Sequence, residues 1–597
     1  MNCSAVSSLV WLKRNGRHNM NGRLIEKSFR SMMIMMIFAG IVAMCGSVID
    51  GIVIGNVLGA DEMASFGFAS PVFMIIAAVA GVFANGGKAQ CSVSIGEGDY
   101  DEARKNFTLA VILSVVSGLV IMICCLTAAE PIAMLLGAND KYVDSTADYI
   151  RGIAIGTLPI MLMQVITGYL GLDGAESLGF VGAIVMSIIN ISFDLMVGFV
   201  WHGGLFEMGL ATSFSYLAAI IAQLLYFKRK DKLFYPVKIK FSASKITSMV
   251  NTGFPSAISR ISFSVSLILL NYMLADCVGE IGVTALSIQT TLSNFISAIF
   301  MGITSTISIF SGMYYGEKNK TSLRMAFRIA CKYGIIISVA IAAILLAFAE
   351  QIAAIILNAD EAILSLAANS LRFYAISLPG EILSLILMYH YLSTEKIVYS
   401  HTVCILHNFV LLVLPAFLLE MAIGINGIWL GWFMSGILLI PIMLPILWKY
   451  RSGKIGDLWM AISKNFEPES KRIFEVSVSD DTNELMKAIE EIRNFCVNSG
   501  VEKNNIFRIC LSIEEMAGNI INHAFKSKGG HFIDLRLIVN EDKSGCISIR
   551  DNGIKFNPLA YQNNQNQYGI RLIRGISTGI DYHYTTSMNN LNIYISS

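Results

Sequence analysis

Residues 31–59 read SMMIMMIFAGIVAMCGSVIDGIVIGNVLG. As a helix this run is long enough to cross the hydrocarbon core of a bilayer, for which about 20 residues suffice. It nevertheless carries a carboxylate, Asp50, well inside its apolar stretch. A charge near the middle of a spanning helix disfavours insertion by roughly 2.5 to 3.5 kcal/mol, so such a residue usually faces a polar chamber and marks an ion or proton path. A second half-site lies in SIINISFDLMVGFV (residues 187–200), where Asn190 and Asp194 are four apart and share one helix face. Two carboxylates and an amide oxygen at membrane depth suit Na⁺ or a proton. The competing reading, a carboxylate near a helix end reaching to the interface, fits either acid alone better than it fits two deep acids together.

Working outward, apolar runs of spanning length start near residues 31, 67, 108, 149, 178, 209, 250, 284, 330, 370, 401 and 427, the last ending near Tyr450. With 54% hydrophobic and 15% charged residues among 597, the chain is mostly membrane-embedded, and a net charge of +1 gives no basic footprint for nucleic acid. Eleven cysteines and eight histidines show neither a disulfide framework nor metal-ligand spacing. Lysine and arginine cluster after the sixth span (Lys228, Arg229, Lys230, Lys232, Lys238, Lys240, Lys245) and after the eighth (Lys318, Lys320, Arg324, Arg328). The positive-inside rule puts these loops and both termini in the cytoplasm of a multi-pass protein of the cytoplasmic membrane. Residues 1–30 read as a basic tail, with Met1 and Met20 both possible starts.

The chain repeats itself. Gly59 matches Gly279, Gly96 matches Gly316, and Thr157-Leu158-Pro159 matches Ser377-Leu378-Pro379, each 220 residues apart. Six spans separate the copies, so the halves share one orientation, related by an axis along the membrane normal. The expected organisation is a six-helix lobe over 31–228, a linker over 229–249, a second six-helix lobe over 250–450, a linker over 451–470 and a soluble domain over 471–597, preceded by the tail. The fold class is thus an all-α membrane part of twelve helices followed by an α/β sandwich. Asp50 shifted by 220 is Leu270, and Asp194 falls on Leu412 to Leu414, so the second lobe has lost both acids. That one-sidedness favours coupling-ion binding over a purely structural role. Glu381, after Pro379-Gly380, reads as an interfacial carboxylate at the start of a span, while His407, Asn408, Gln164, Asn271, Gln289 and Asn294 read as polar links between helices or cavity donors.

Together with the paired halves, SVIDGIVIG, the LGLDG turn, NISFD and GLATSFSYL resemble the multidrug and toxic compound extrusion (MATE) family over roughly residues 28–452. The resemblance implies a two-lobed antiporter that exports amphipathic, often cationic small molecules in exchange for Na⁺ or H⁺ by alternating access. It further implies that Asp50, Asn190, Asp194 and Thr212 line the cation site; for Thr212, a hydroxyl bonded back within its own helix stays open as the alternative.

The soluble third alternates helix and strand: helices around 482–499 and 504–525, then strands in HFIDLRLIVN, GCISIRD, GIDYHYTT and NLNIYIS. In LSIEEMAGNIINHAF, Glu515 and Asn519 share a helical face suited to a Mg²⁺-phosphate. Asp551 ends a strand, where a carboxylate can accept the exocyclic amine of adenine, and Gly553 lets backbone approach the base. Gly569 opens an apolar-periodic segment whose N–H groups would face phosphate. Their order resembles the GHKL group of ATPases, specifically the anti-sigma-factor serine kinase branch. That implies Glu515 as general base, Asn519 as Mg²⁺ ligand and Asp551 as adenine reader. Gln567 stands where that group commonly has a glycine. No GxxxxGK[ST] motif occurs, so a regulatory role, through a cytoplasmic protein partner or through nucleotide sensing, fits better than ATP-driven pumping. Two further readings stay open, a lipid-linked oligosaccharide flippase and a membrane-tethered signalling serine kinase.

Overall fold

The computed structural model describes residues 3–230, 232–356, 361–450, 455–463, 466, 472–525, 530–557 and 568–596. Among them, twelve helices are long and apolar enough to cross a membrane. The first lobe comprises α1 (Cys3–Val53), α2 (Ala60–Glu97), α3 (Tyr100–Thr127), the short α4 (Ala129–Leu135), α5 (Val143–Leu172), α6 (Glu176–Met196) and α7 (Leu205–Leu224). The second comprises α8 (Ala243–Val278), α9 (Glu280–Gly316), α10 (Lys320–Ile356), α11 (Glu361–Ser393), α12 (Ile397–Ile405), α13 (Leu411–Ile423) and α14 (Ile425–Leu447). The repeat is visible in the breaks. Gly59 and Gly279, both at positive φ, precede α2 and α9, and Pro159 and Pro379 sit inside α5 and α11.

Two compact units emerge, one of residues Met33–Glu317 with Phe327–Ile462, the other of Met1–Met32, Lys318–Ala326 and Ser463–Ser597. Within the first unit the lobes meet where α2 packs on α8 and α9. Small residues permit this, because in a bilayer helix association rests on close van der Waals packing rather than on expulsion of water. A Cβ on Gly253 would collide with the Val82 carbonyl, and one on Gly86 with that of Met249. One on Gly96 would collide with the Met313 carbonyl, and one on Gly316 would lie 3.0 Å from the Gly96 Cα. Gly96 and Gly316 are equivalent copies in the repeat, so the pseudo-twofold axis passes between them. Gln90 Nε2 donates to Ser248 Oγ at 2.9 Å and Lys245 pairs with Glu102 at the same end.

The second unit contains an antiparallel sheet ordered β1-β2-β3-β5-β4: β1 (Arg472–Ser479), β2 (Phe532–Val539), β3 (Gly545–Asp551), β4 (Gly579–Thr585) and β5 (Met588–Ile595). One face alternates apolar, as in the buried Ile533, Leu535, Leu537 and Val539 of β2. It forms a core with α16 (Thr482–Asn498), α17 (Lys503–Asn519) and α18 (Tyr568–Ile576), which follow the short α15 (Ile455–Trp459).

Several boundaries differ from the sequence reading. The expected basic tail is helical from Cys3 and continuous with the first span. The inter-lobe linker ends earlier, at Ser242, the N-cap of α8. Part of the expected linker 451–470 is held to α11: the Tyr391 hydroxyl donates to the Trp459 carbonyl at 2.7 Å, and His390 Nε2 lies 3.2 Å from that of Met460. Glu381 lies deep inside α11 rather than at a span's start, because Pro379 and Gly380 sit within the continuous helix. The strand Arg472–Ser479 was not anticipated, since its alternation is short and bracketed by charge.

A methyl at the lobe crossing should cost about 1 to 3 kcal/mol of overpacking. Gly253→Ala is expected to lower the thermal midpoint in detergent, whereas Gly67→Ala, with nothing within 4 Å of the added methyl, should leave it unchanged.

Candidate functional site

Asp50 leaves α1 a turn before the helix widens into a π turn at Ile54–Leu58, and Asp194 leaves α6 just before a second at Val197–Trp201. Single π turns inside long helices are frequent at functional sites because they re-aim neighbouring side chains. The two pack on each other: a Cβ on Gly198 would lie 3.1 Å from Val57 Cγ1. Upstream, α1 and α6 are pinned by the Ser187 hydroxyl, which donates to the Val42 carbonyl at 2.7 Å, and by Gly46, whose absent Cβ leaves Asn190 Oδ1 room 3.0 Å away.

These contacts bring three predicted residues together. Asp50 faces Asp194 and Asn190 closely enough to interact with both, and Asp194 and Asn190 are buried. Yet Asp50 Oδ1, both oxygens of Asp194 and Asn190 Nδ2 make no hydrogen bond of proper geometry among the described residues. Buried polar atoms are almost always satisfied, so clustered orphans fit a site that takes a ligand. Thr212 stands at the edge of the cluster. Its hydroxyl donates back to the Met208 carbonyl at 3.3 Å and also approaches the Tyr149 hydroxyl.

Tyr149 is in electrostatic contact with both acids and Tyr216 with Asp50, and Tyr149 is fixed by an edge-on ring contact with Phe66 at 5.1 Å. Neither stood out in the sequence, where an aromatic in a span reads as packing. Lys88, buried in α2 with its stem against Gly168, was also missed. In the second lobe lies an apolar pocket of about 440 Å³ lined by Leu269, Tyr272, Met273, Phe409, Val413 and Phe417, among others. Drug-sized ligands occupy pockets of about 300 to 1,000 Å³.

In the ATPase-like unit, Asp551 Oδ1 accepts from Gly553 N at 2.7 Å and Asn589 Nδ2 at 2.8 Å. Burial pushes its pKa up to about 6, against the pull of the Asn589 amide and the Gly553 N–H. A Cβ on Gly553 would fall 2.9 Å from the Ala524 carbonyl oxygen, and one on Gly569 would collide with Glu515 Oε2. Both glycines therefore keep space that a side chain would fill. Asn519 closes α17 and is followed by a π turn, Ile520–Ala524, whose Ala524 carbonyl accepts from Ile554 N at 2.9 Å. A carboxylate at each of Glu515 and Asp551, an amide at Asn519 and two bare glycines suit a nucleotide with its magnesium: Glu515 and Asn519 for metal and phosphate, Asp551 for the adenine amine. Gln567 lies outside the described residues.

The MatE family model matches residues 36–196 and 255–418, together more than half of the chain, and a histidine kinase-like ATPase domain model matches residues 478–595. The multidrug export protein MepA of Staphylococcus saprophyticus is 22% identical over 285 residues, 47% of this chain and 63% of that protein. MepA of Staphylococcus haemolyticus is 24% identical over 301 residues, 49% of this chain and 65% of that protein. The chain thus spans less than two thirds of the length of these relatives. An outward-facing multidrug resistance MATE family transporter of the MOP superfamily superposes with a TM-score of 0.67 at 22% identity, covering 71% of this chain and 95% of that one. A MOP superfamily transporter from Pyrococcus furiosus, noted for the reverse polarity of its binding pocket, gives 0.67 at 22%, covering 74% and 96%.

If Asp551 reads the adenine amine, protonating it replaces a charged acceptor by a weaker neutral one. Affinity for a fluorescent ATP analogue is expected to fall, at most about tenfold per pH unit, as pH drops from about 7.5 to about 5. Asp551→Asn should bind weakly and without that pH step.

Proposed function

Because the chain belongs to the MATE family and carries a histidine kinase-like ATPase domain at its C-terminus, we propose that it is a cation-coupled antiporter of the cytoplasmic membrane. It exports amphipathic, cationic small molecules by alternating access, and its C-terminal domain is a nucleotide-binding regulator. The observation that carries this reading is the group of orphaned polar atoms on Asp50, Asn190 and Asp194. Two carboxylates at close range in a low-dielectric interior repel unless a proton or a metal cation stands between them. Na⁺ or H⁺ supplies that charge, with Thr212 and Tyr149 at the rim. Release of the cation on one side and its rebinding on the other couples the gradient to movement of the lobes.

The apolar cavity in the second lobe supports a cargo with a hydrophobic body. A positive group on that cargo would compete with the coupling ion for the same acids. By the positive-inside rule the Lys-rich connections lie in the cytoplasm together with both termini. The glycine crossing of α2 with α8 and α9 is at that end, so the proposed cytoplasmic side is the closed one in this state. Lys88 is a single buried cation in α2, which does not make the strongly cationic cavity that a lipid-linked pyrophosphate requires.

Dye efflux from inverted vesicles, driven in turn by an imposed Na⁺ gradient and an imposed proton gradient, tests the reading and identifies the ion. Asp50→Asn and Asp194→Asn are each expected to cut gradient-driven efflux by at least about tenfold, roughly the loss of one charge-assisted contact, at normal membrane insertion. Normal transport by either variant overturns the proposal.

A further inference from the structure

The sheet of the ATPase-like unit has a second face, and it is charged. Alternation puts Glu475 and Ser477 of β1, Asp534 and Arg536 of β2, Ser548 and Arg550 of β3, and Asn590 and Asn592 of β5 on the side opposite the helices. The register sets them in two complementary rows: Ser477, Asp534, Arg550 and Asn590 in one, Glu475, Arg536, Ser548 and Asn592 in the other. Ser477 donates to Asp534, Arg550 Nε to Asn590 Oδ1 at 2.7 Å, and Arg536 pairs with Glu475 at 3.4 Å. A two-layer sandwich by itself leaves such a face in water. Here it is withdrawn from solvent: the Arg536 and Glu475 side chains are 11% and 18% exposed.

Two other stretches of the same compact unit cover it. Asn319, just ahead of α10, and Ser322, in its first turn, line a cleft with Glu475, Asp534, Arg536 and Arg550. The leading part of α1 joins them. Lys27 Nζ donates to the Gly530 carbonyl at 3.1 Å, the Ser28 hydroxyl donates to the Thr586 carbonyl, and the Arg23 guanidinium lies over the Phe532 ring at 5.8 Å. Leu24 and Phe29 are fully buried. Gly22 sits against Met325, where an added Cβ would stand 3.1 Å from its sulfur.

The residues that hold α1 are also those next to Asp551. Phe532 N donates to the Asn552 side chain at 3.2 Å, and Asn552 follows Asp551. Asn589, which donates to Asp551, precedes Asn590, which donates to the Thr585 hydroxyl at 2.9 Å, and Thr585 precedes Thr586. Ser28 and Asp50 belong to the same helix, α1.

We propose that the polar face of the C-terminal sheet is an intramolecular docking surface that grips the start of α1 and residues 318–326 at the head of α10, and that nucleotide at Asp551 controls this grip. One segment leads into the first lobe and the other joins two spans of the second. The domain therefore holds both lobes and regulates transport through their relative movement, without supplying energy for it. This rests on the nucleotide-binding reading of Glu515, Asn519 and Asp551.

The test uses the full-length protein in nanodiscs and needs no variant at first. Binding of a fluorescent ATP analogue with Mg²⁺ is measured by polarisation, and hydrogen exchange of residues 22–32 and 318–326 is followed with and without the same ligand. The expected result is saturable binding with at least a fivefold change in exchange at both segments, abolished in Asp551→Asn. In inverted vesicles, the nucleotide should alter efflux by wild type but not by a Lys27→Ala/Ser28→Ala variant. Binding with unchanged exchange overturns the docking inference alone; no binding overturns it together with the nucleotide reading.

Discussion

Two carboxylates placed face to face inside a lipid-embedded helix bundle set the terms for the rest of the first lobe. Neither acid is tolerable there as a lone charge, and the cost of an unpaired buried carboxylate runs to several kcal/mol even after relaxation. The surrounding helices accordingly bring the acids against each other and against Asn190. Paired π turns turn the side chains inward, Ser187 and Gly46 hold α1 against α6, and Tyr149 and Tyr216 supply a polar rim backed by aromatic packing. The second lobe carries the same repeat without the acids, and its pocket is lined by apolar residues such as Leu269, Met273 and Phe409.

What the sequence disclosed follows from which physical signals are local. The spans were legible because each needs about 20 apolar residues whatever its neighbours are. Asp50, Asn190 and Asp194 were legible because an acid in such a run violates the pattern that surrounds it. Tyr149 violates nothing, and only tertiary contact tells it from the other ring-bearing residues of α5. Glu381 was misjudged because proline and glycine ahead of a carboxylate usually open a helix, whereas Pro379 is accommodated inside α11. The π turns left no trace, since one extra residue per turn shifts the apolar period by less than its normal scatter. In the soluble third, GCISIRD (545–551) spans the same residues as β3. The strand Arg472–Ser479 escaped because it is bracketed by charge, EPESK before it and Asp480-Asp481 after it.

The charged face of the sheet raises the same problem as the membrane acids, in a wetter setting. Both place ionisable groups where water is scarce, and both satisfy them from more than one segment of chain. For the membrane acids the proposed partner is a mobile cation. On the sheet it is Arg550 for Asp534 and Arg536 for Glu475, with Asn319 and Ser322 completing the cleft. Such complementary rows specify register more than they add stability, because moving one strand by a single residue would bring the charges onto the apolar side.

The contact between Gly96 and Gly316 has a leverage of its own. In the proposed alternating access, two copies of one residue touching at the end of α2 would serve as a fulcrum, and α2, 38 residues long, extends about 57 Å from it at 1.5 Å per residue. A tilt of about 10° about that point sweeps the distal tip through roughly 10 Å, wide enough to admit an aromatic cation, while the glycines themselves scarcely move. A wide mouth at one surface is thereby compatible with a tight seal at the other.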